Sequence, residues 1–573
     1  AAYAVANPGV TDVKITQQTG TCTGIVKDAT GEGVIGASVV VKGTTNGTIT
    51  GLDGDFSLSN VKEGDIIVIS FVGYATQEIK WTGKPLDVLL KDDTQLLGEV
   101  VVTALGMKRE EKALGYAVTE LKSEELYTNT VNPVASLQGK VAGVEISNSD
   151  GGIFGSAKIQ IRGASTLGSN NQPIYVVDGV ILDNSTQGRD MDGEEIDAID
   201  YGNELKNLNP DDFESVSVLK GAAATALYGS RGLNGAIVIT TKSGKSGQGL
   251  GINISQSFGM DVITQTPSFQ NEFGNGIIAG NVDYGDKNAN GDYYIYDNFG
   301  QYPTNANGQF SLMNDQGMSW GPAFDGREIQ YYDGSTRAYS PVKNNFHKAY
   351  QKGFSSNTNV AISGGNEKTT FYTSLSYKHV DGTTPNNSFD RISFLGKASH
   401  MFHPKIKLEA SMSFANSMPK NSPINIGENF ASGVWGRSYD PSTAKDKYKG
   451  VHGGLASSSY GDEYGNMPGI GTWWSVYEND YRQKEISVRP VVKLNIDLLD
   501  WLKFNVKGSY NYYYTRFENK QPGSGYANEG GYYGIGQTTK EQTNLNANFM
   551  FNKTFGDFTV NGFLHGEFYE NFQ

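Results

Sequence analysis

From about residue 248 onward, apolar and polar side chains alternate along the chain. Leu250, Ile252, Ile254, Phe258 and Met260 share one face. Phe371, Thr373, Leu375 and Tyr377 share another, with Tyr372, Ser374, Ser376 and Lys378 opposite. Ile406, Leu408, Ala410, Met412 and Phe414 alternate with Lys405, Lys407, Glu409, Ser411 and Ser413. The same rhythm runs through Val488 to Leu498, Phe504 to Tyr514 and Leu545 to Phe551. A period of two with a uniformly apolar face fits strands between lipid and a polar lumen. Any one of these strands would also suit a soluble sandwich. The pattern predicts nine strands, near 250–260, 356–363, 370–379, 391–401, 405–415, 485–498, 503–515, 540–552 and 557–569.

The joins between them separate the two readings. Those around 364–369, 402–404, 499–502 and 553–556 are tight. Those at 261–355, 416–484 and 516–539 are long, and 380–390 is intermediate. Short inner turns alternating with long outer loops mark outer-membrane barrels, whereas a soluble sandwich gives no reason for the alternation. Single-chain bacterial barrels have even strand numbers, and an open edge in lipid costs several kcal/mol per unpaired backbone group. Nine strands are therefore expected to be only part of a wall.

The first 245 residues read differently. Residues 1–20 form an extension whose small-residue start is like the end of a secretory signal, although an ordinary terminus explains it as well. Residues 21–96 carry short strands with turn residues at regular spacing, such as Ile35–Lys42 and Asp65–Val72, the pattern of a β-sandwich. Residues 97–132 hold a short β-prone segment, Leu97 to Gly106, and then the charged run Lys108 to Lys112. An isolated strand of this kind either links domains or adds to another protein's sheet. Residues 133–245 read as mixed α/β: a short helix at 134–143, strands at 158–163, 173–178, 213–220 and 235–242, an acidic loop at 199–210, and a two-turn helix at 221–229.

Three sets of motifs carry a family resemblance. G-x-x-I-G-A-x-V-x-V-K-G-T with D-G-x-F-x-L and F-V-G-Y is similar to the carboxypeptidase-regulatory-like domain, a non-catalytic sandwich. Glu99-Val100-Val101-Val102-Thr103-Ala104 resembles the TonB box of SusC/RagA-type TonB-dependent outer-membrane transporters. I-R-G, Y-V-V-D-G-V and the long run from Val218 to Lys242 are similar to the plug of the same family. The resemblance implies a mainly β protein: an N-terminal β-sandwich, an α/β plug domain, and part of a large antiparallel transmembrane β-barrel of the roughly 22-stranded type, here residues 246–573. It also implies a place in the outer membrane of a Gram-negative bacterium, in contact with its lipid. The implied function is active import of an oligosaccharide or a peptide. TonB, with ExbB/ExbD, would pull on residues 99–104, and a SusD-like lipoprotein would cap the outer loops. Two other classes stay open: a non-transporting surface glycan-binding or adhesion protein, and a signal-transducing receptor. The latter would add a further periplasmic domain, and none is visible before residue 21.

Composition narrows the picture. Gly accounts for 72 of the 573 residues, nearly twice the usual share of roughly 7 per cent. The chain has 32 Tyr and 27 Phe, too many aromatics for a disordered chain. No window approaches the roughly 18 apolar residues of a membrane helix. The net charge of −14 argues against nucleic acid as a partner. Cys22 alone cannot form a disulfide framework and is expected to be a thiol without chemistry.

Candidate chemistry is sparse. Arg162 and Arg231 stand beside Gly in a domain expected inside a barrel, where each is either a latch to wall carboxylates or a solvated surface residue. Asp286, Asn288, Asn290, Asp292 and Asp297 follow the spacing of an EF-hand loop, with Asp in place of the closing Glu. Without flanking helices, an outer-loop turn competes with a Ca2+ site; no other cofactor is expected. Trp320, Trp435, Trp473 and Trp474 lie in the long joins, where they would stack on sugars, pack loops together or sit in an interfacial girdle. Gly244-Lys245-Ser246 lacks the upstream glycine of a P-loop, and His400 and His403 lack a third metal ligand. No catalytic triad can be assembled, so an enzyme is not expected.

Overall fold

The computed structural model describes residues 19–572 except 29–30, 32, 45, 72–73, 75, 91–99, 104–106, 111–117, 127–130, 149–151, 164–170, 183–187, 190–198, 222–223, 226–227, 246, 248, 276–310, 313–322, 422–425, 451–452, 457–466, 524–529 and 557. The chain divides into two units, residues 1–101 with 109–115, and residues 102–108 with 116–573.

The first unit is a sandwich of two small sheets. One joins Asp55–Lys62, Thr19–Lys27 and Leu86–Leu89; the other joins Gly47–Ile49, Ser38–Val41, Ile66–Ser70 and Gln77–Lys80. Their inward side chains, among them Val26, Val39, Ile67, Ile69 and Leu90, are fully buried. Cys22 lies in this core, and burial pushes its thiol up to about 11, which leaves it unreactive.

The second unit holds a mixed five-stranded sheet ordered Val118–Lys122, Phe213–Leu219, Ala236–Thr241, Ile174–Val177 and Val180–Leu182. A hairpin of Val144–Asn148 with Ala157–Ile161 packs on the same apolar core. The helix expected at 134–143 is a shorter 3-10 turn, Pro133–Leu137. Gly139 and Gly143 follow at φ +74°, which a right-handed helix cannot accommodate.

Nine further strands form one antiparallel sheet in sequence order, as the alternation predicts: Gly251–Asp261, Gly353–Gly365, Thr369–Asp381, Ser388–His403, Ile406–Lys420, Asp480–Leu499, Leu502–Gln521, Tyr532–Phe555 and Phe558–Phe572. The strands are longer than their apolar alternation suggests. Leu502–Gln521 has 20 residues and Tyr532–Phe555 has 24, against the roughly 9–11 needed to span a bilayer. Their outer portions carry polar side chains on both faces, so the lipid pattern fades while pairing continues. Seven outward positions from Leu502 to Tyr514 are followed by Arg516. That stretch is about 40 Å along a strand and about 30 Å deep at a 45° tilt, the thickness of a hydrocarbon core.

At the end away from the tight turns, the joins 262–352 and 421–479 pack into one aromatic core. Trp435 stacks on Tyr439 and Trp473 with centroids 5.1 and 5.4 Å apart.

Candidate functional site

The plug and the wall belong to one unit, and the surface where they meet is made of charged and amide side chains. Its centre is the stretch expected to be an acidic loop. Every residue from Tyr201 to Pro210 is buried. Gly202 has φ +79°, and a side chain there would run into the Phe154 carbonyl, so the chain enters the stretch through a position only Gly suits. Two short 3-10 turns follow, Glu204–Asn207 and Pro210–Asp212. Asn203 Oδ1 accepts from the Leu205 amide at 3.2 Å, and Asn209 Oδ1 from the Asp211 amide at 3.3 Å, each capping a turn. Leu205 and Leu208 go into the plug core. Lys206, Asn207 and Asn209 are thereby turned toward the wall.

Lys206 Nζ lies 2.6 Å from Glu485 Oε1, with the two side chains 1 and 0 per cent exposed. The contact is ionic in distance but poorly directed as a hydrogen bond. Glu485 Oε2 also accepts from Asn207 Nδ2 at 2.9 Å and from the Tyr513 hydroxyl at 2.6 Å. Gln483 donates to Oε1. One wall carboxylate therefore gathers a plug ammonium and three further donors, the partners a buried charge requires.

Further grips flank this centre. Arg391, fully buried on the wall, donates through Nη1 to the backbone carbonyls of Lys206 at 2.8 Å and Leu208 at 2.5 Å. Asp212 of the plug accepts from the Tyr372 hydroxyl at 2.9 Å and Ser374 Oγ at 2.5 Å. Asp211 accepts from Asn357 Nδ2 at 2.5 Å. Burial pushes both carboxyls up, against the hydrogen bonds that favour their charged forms. The Asp178-Gly179 turn is held by Lys397, 3.0 Å from Asp178 Oδ2, and by Lys507, which donates to the Gly179 carbonyl. A cavity of about 50 Å³ lies between plug and wall, lined by Asp178, Asn209, Asp212 and Arg489 together with Val177, Leu208, Phe394 and Phe414.

The expected site residues fare unevenly. Arg231 Nη2 lies 2.5 Å from Glu567 Oε2 on the last wall strand and over the Tyr569 ring at 5.1 Å. Arg162 is exposed at φ +62°, with no acidic partner among the described residues. Val100–Thr103 is a strand paired with Met107–Glu110 in a two-stranded sheet. Its other edge carries no strand among the described residues; Glu99 and Ala104 lie outside them. Trp435, Trp473 and Trp474 are buried in the outer-loop core at 2, 0 and 7 per cent exposure. The ring faces of Trp435 and Trp473 are stacked on each other and on Tyr439 and Tyr477, so these two pack loops, and Trp474 meets Tyr448 edge-on. Trp320 and the Asp286, Asn288, Asn290, Asp292 and Asp297 loop lie outside the described residues. Sequence reasoning missed Lys206, Glu485, Arg391 and Asp212. The available signal was ionisable residues at lumen-facing positions of spanning strands, which default to functional roles.

Comparison with known proteins follows the same division. Residues 22–102 match the CarboxypepD_reg-like domain family, and residues 110–236 match the TonB-dependent Receptor Plug Domain. The chain is 48% identical to the TonB-dependent receptor SusC of Bacteroides thetaiotaomicron over 41% of its own length and 22% of that protein. It is 26% identical to TonB-dependent receptor P26 of Formosa agariphila over 70% of its length and 35% of that protein. The RagAB peptide importer in its open-open state superposes with a TM-score of 0.60 at 21% identity, covering 82% of this chain and 49% of that one. The chain thus spans about half of that solved structure and a smaller share of these curated relatives. Residues 110–236 are thus a TonB-dependent receptor plug domain, and the chain is similar to TonB-dependent receptors of the SusC type. These relatives are receptors and transporters, not enzymes, in agreement with the sequence reading.

Proposed function

We propose that this receptor imports an oligosaccharide across the outer membrane, working with a SusD-like surface lipoprotein over its outer loops. The observation that carries the reading is the polar plug–wall surface centred on Lys206 and Glu485. An apolar interface would seal the bore permanently. A polar one exchanges its contacts for water when the plug is pulled, so it yields to force and re-forms. The outer membrane holds no ATP, so the work arrives mechanically. TonB would add a strand to the edge of Val100–Thr103 that carries no strand among the described residues, bonding through the backbone, and draw the plug inward. Arg231 and Glu567 would serve as an outlying part of the same latch.

RagAB, which shares the fold, is a peptide importer, and this supports peptide as the second substrate class. Cells lacking this receptor should lose uptake of a labelled oligosaccharide series and retain uptake of labelled peptides. The lipoprotein should co-purify with the receptor from cells that carry it. Loss of peptide uptake alone would move the assignment to peptides. Loss of surface binding with both uptakes intact would favour the adhesion reading.

A further inference from the structure

The outward face of the wall changes character sharply at one level. On adjacent strands Ile486 is paired with Tyr514, and these mark the upper rim of the apolar band. The next outward pair is Lys484 with Arg516. Both are exposed, and neither has an ion pair or hydrogen bond among the described residues. Directly opposed side chains on neighbouring strands stand about 5 Å apart, and like charges so placed are destabilising. One pair higher on the same face, Arg482 is opposed to Lys420 on its other side. Local acids offset the group only in part: Glu518 stands opposite Arg482 on the Leu502–Gln521 strand and also interacts with Arg516. Asp480 is taken by Arg482 at 2.8 Å and Glu518 by Lys520 at 3.0 Å. A chain with net charge −14 thus places a net basic row, five cations against Asp480 and Glu518, where its lipid-facing band ends.

We propose that Lys484 and Arg516, with Lys420 beside them, bind the phosphate groups of an anionic glycolipid in the outer leaflet. Three features point to lipid. The row faces away from the lumen, so it lies off the substrate path. It begins one residue pair beyond the apolar band, at headgroup depth, where basic side chains meet anionic lipid. The repulsion between opposed cations disappears when a phosphate sits between them. The lipid would clamp the three strands from Ile406 to Gln521 just below the long loops and so brace the outer rim.

The test uses the whole receptor purified in a neutral detergent, with bisphosphorylated lipid A as probe. Dephosphorylated lipid A and inorganic phosphate serve as separate arms. Bisphosphorylated lipid A should bind and raise the unfolding temperature, while the other two should do neither. K484Q/R516Q should bind it about thirtyfold more weakly, at about fivefold per cation removed from an anionic lipid surface. Without lipid, the same variant should be at least as stable as wild type, because it loses a repulsion. A less stable lipid-free variant would make the pair structural and overturn the proposal. Equal response to inorganic phosphate would reduce the row to a free-anion site and overturn the lipid assignment. Loss of the co-purifying lipoprotein with lipid A binding unchanged would make the row a protein contact instead.

Discussion

Glu485→Ala loosens the 203–213 segment by roughly a hundredfold or more in the population of its undocked state. The side chain removed is a fully buried carboxylate, and it leaves the Lys206 ammonium at 1 per cent exposure without its counter-charge. Breaking one partner of a buried pair costs about 3–5 kcal/mol. Asn207 and Tyr513 lose their acceptor in the same step, while Arg391 on the Lys206 and Leu208 carbonyls and the hydroxyls of Tyr372 and Ser374 on Asp212 still hold the rest of the stretch. Hydrogen exchange of the amides in 203–213 of the reconstituted receptor measures the effect. Lys206→Met with Glu485→Gln should recover most of the protection, because neither charge is then left buried alone. Exchange in Glu485→Ala equal to wild type would remove the pair from any role in seating the plug.

Deleting residues 99–104 has the larger consequence for function: uptake should fall to background while substrate binding at the surface stays at its wild-type level. The described part of this segment is a strand with one edge occupied by Met107–Glu110 and, among the described residues, no strand on the other. An open edge is what a pulling partner needs, since backbone bonds along a strand share a load in a way that one side-chain contact cannot. Uptake and equilibrium binding of a labelled oligosaccharide, measured on the same cells, separate the two effects. Continued uptake would take TonB coupling away from this segment.

The wall was legible because its physics is local. Lipid outside and polar groups inside impose a period of two on every spanning strand, and Phe371, Leu375 and Tyr377 against Tyr372, Ser374 and Lys378 carry it openly. The latch was not legible, because Lys206 and Asn207 find Glu485 across 278 or more residues. A lumen-facing Glu that meets a plug has the same local sequence as one that meets water. Arg162 and Arg231 look alike in sequence, each beside Gly, yet among the described residues only Arg231 has a wall acid within reach. The tryptophans of the long joins were ambiguous for a related reason. A ring that stacks on a sugar and one that fills a loop core need the same residue, and only the packing of Trp435 between Tyr439 and Trp473 decides. At 199–210 acidic side chains suggested a solvated loop. The alternation of Leu205 and Leu208 with Lys206 and Asn207 sends one set into the plug and the other into the wall.

The central claim is that residues 251–572 form an arc of wall with lipid on one face and the plug on the other. Nitroxide labels placed one at a time at 545, 546, 547, 548 and 549 of the reconstituted receptor test it most directly. The sole native thiol, Cys22, is fully buried and does not interfere. Leu545, Ala547 and Phe549 lie on the outward face, while Asn546 and Asn548 are each 4 per cent exposed on the inner one. Labels at 545, 547 and 549 should be reached by lipid-dissolved oxygen and shielded from a water-soluble nickel complex, with both accessibilities low at 546 and 548. If the nickel complex reaches 545, 547 and 549 as readily as oxygen does, that face is in water and the wall does not span a membrane.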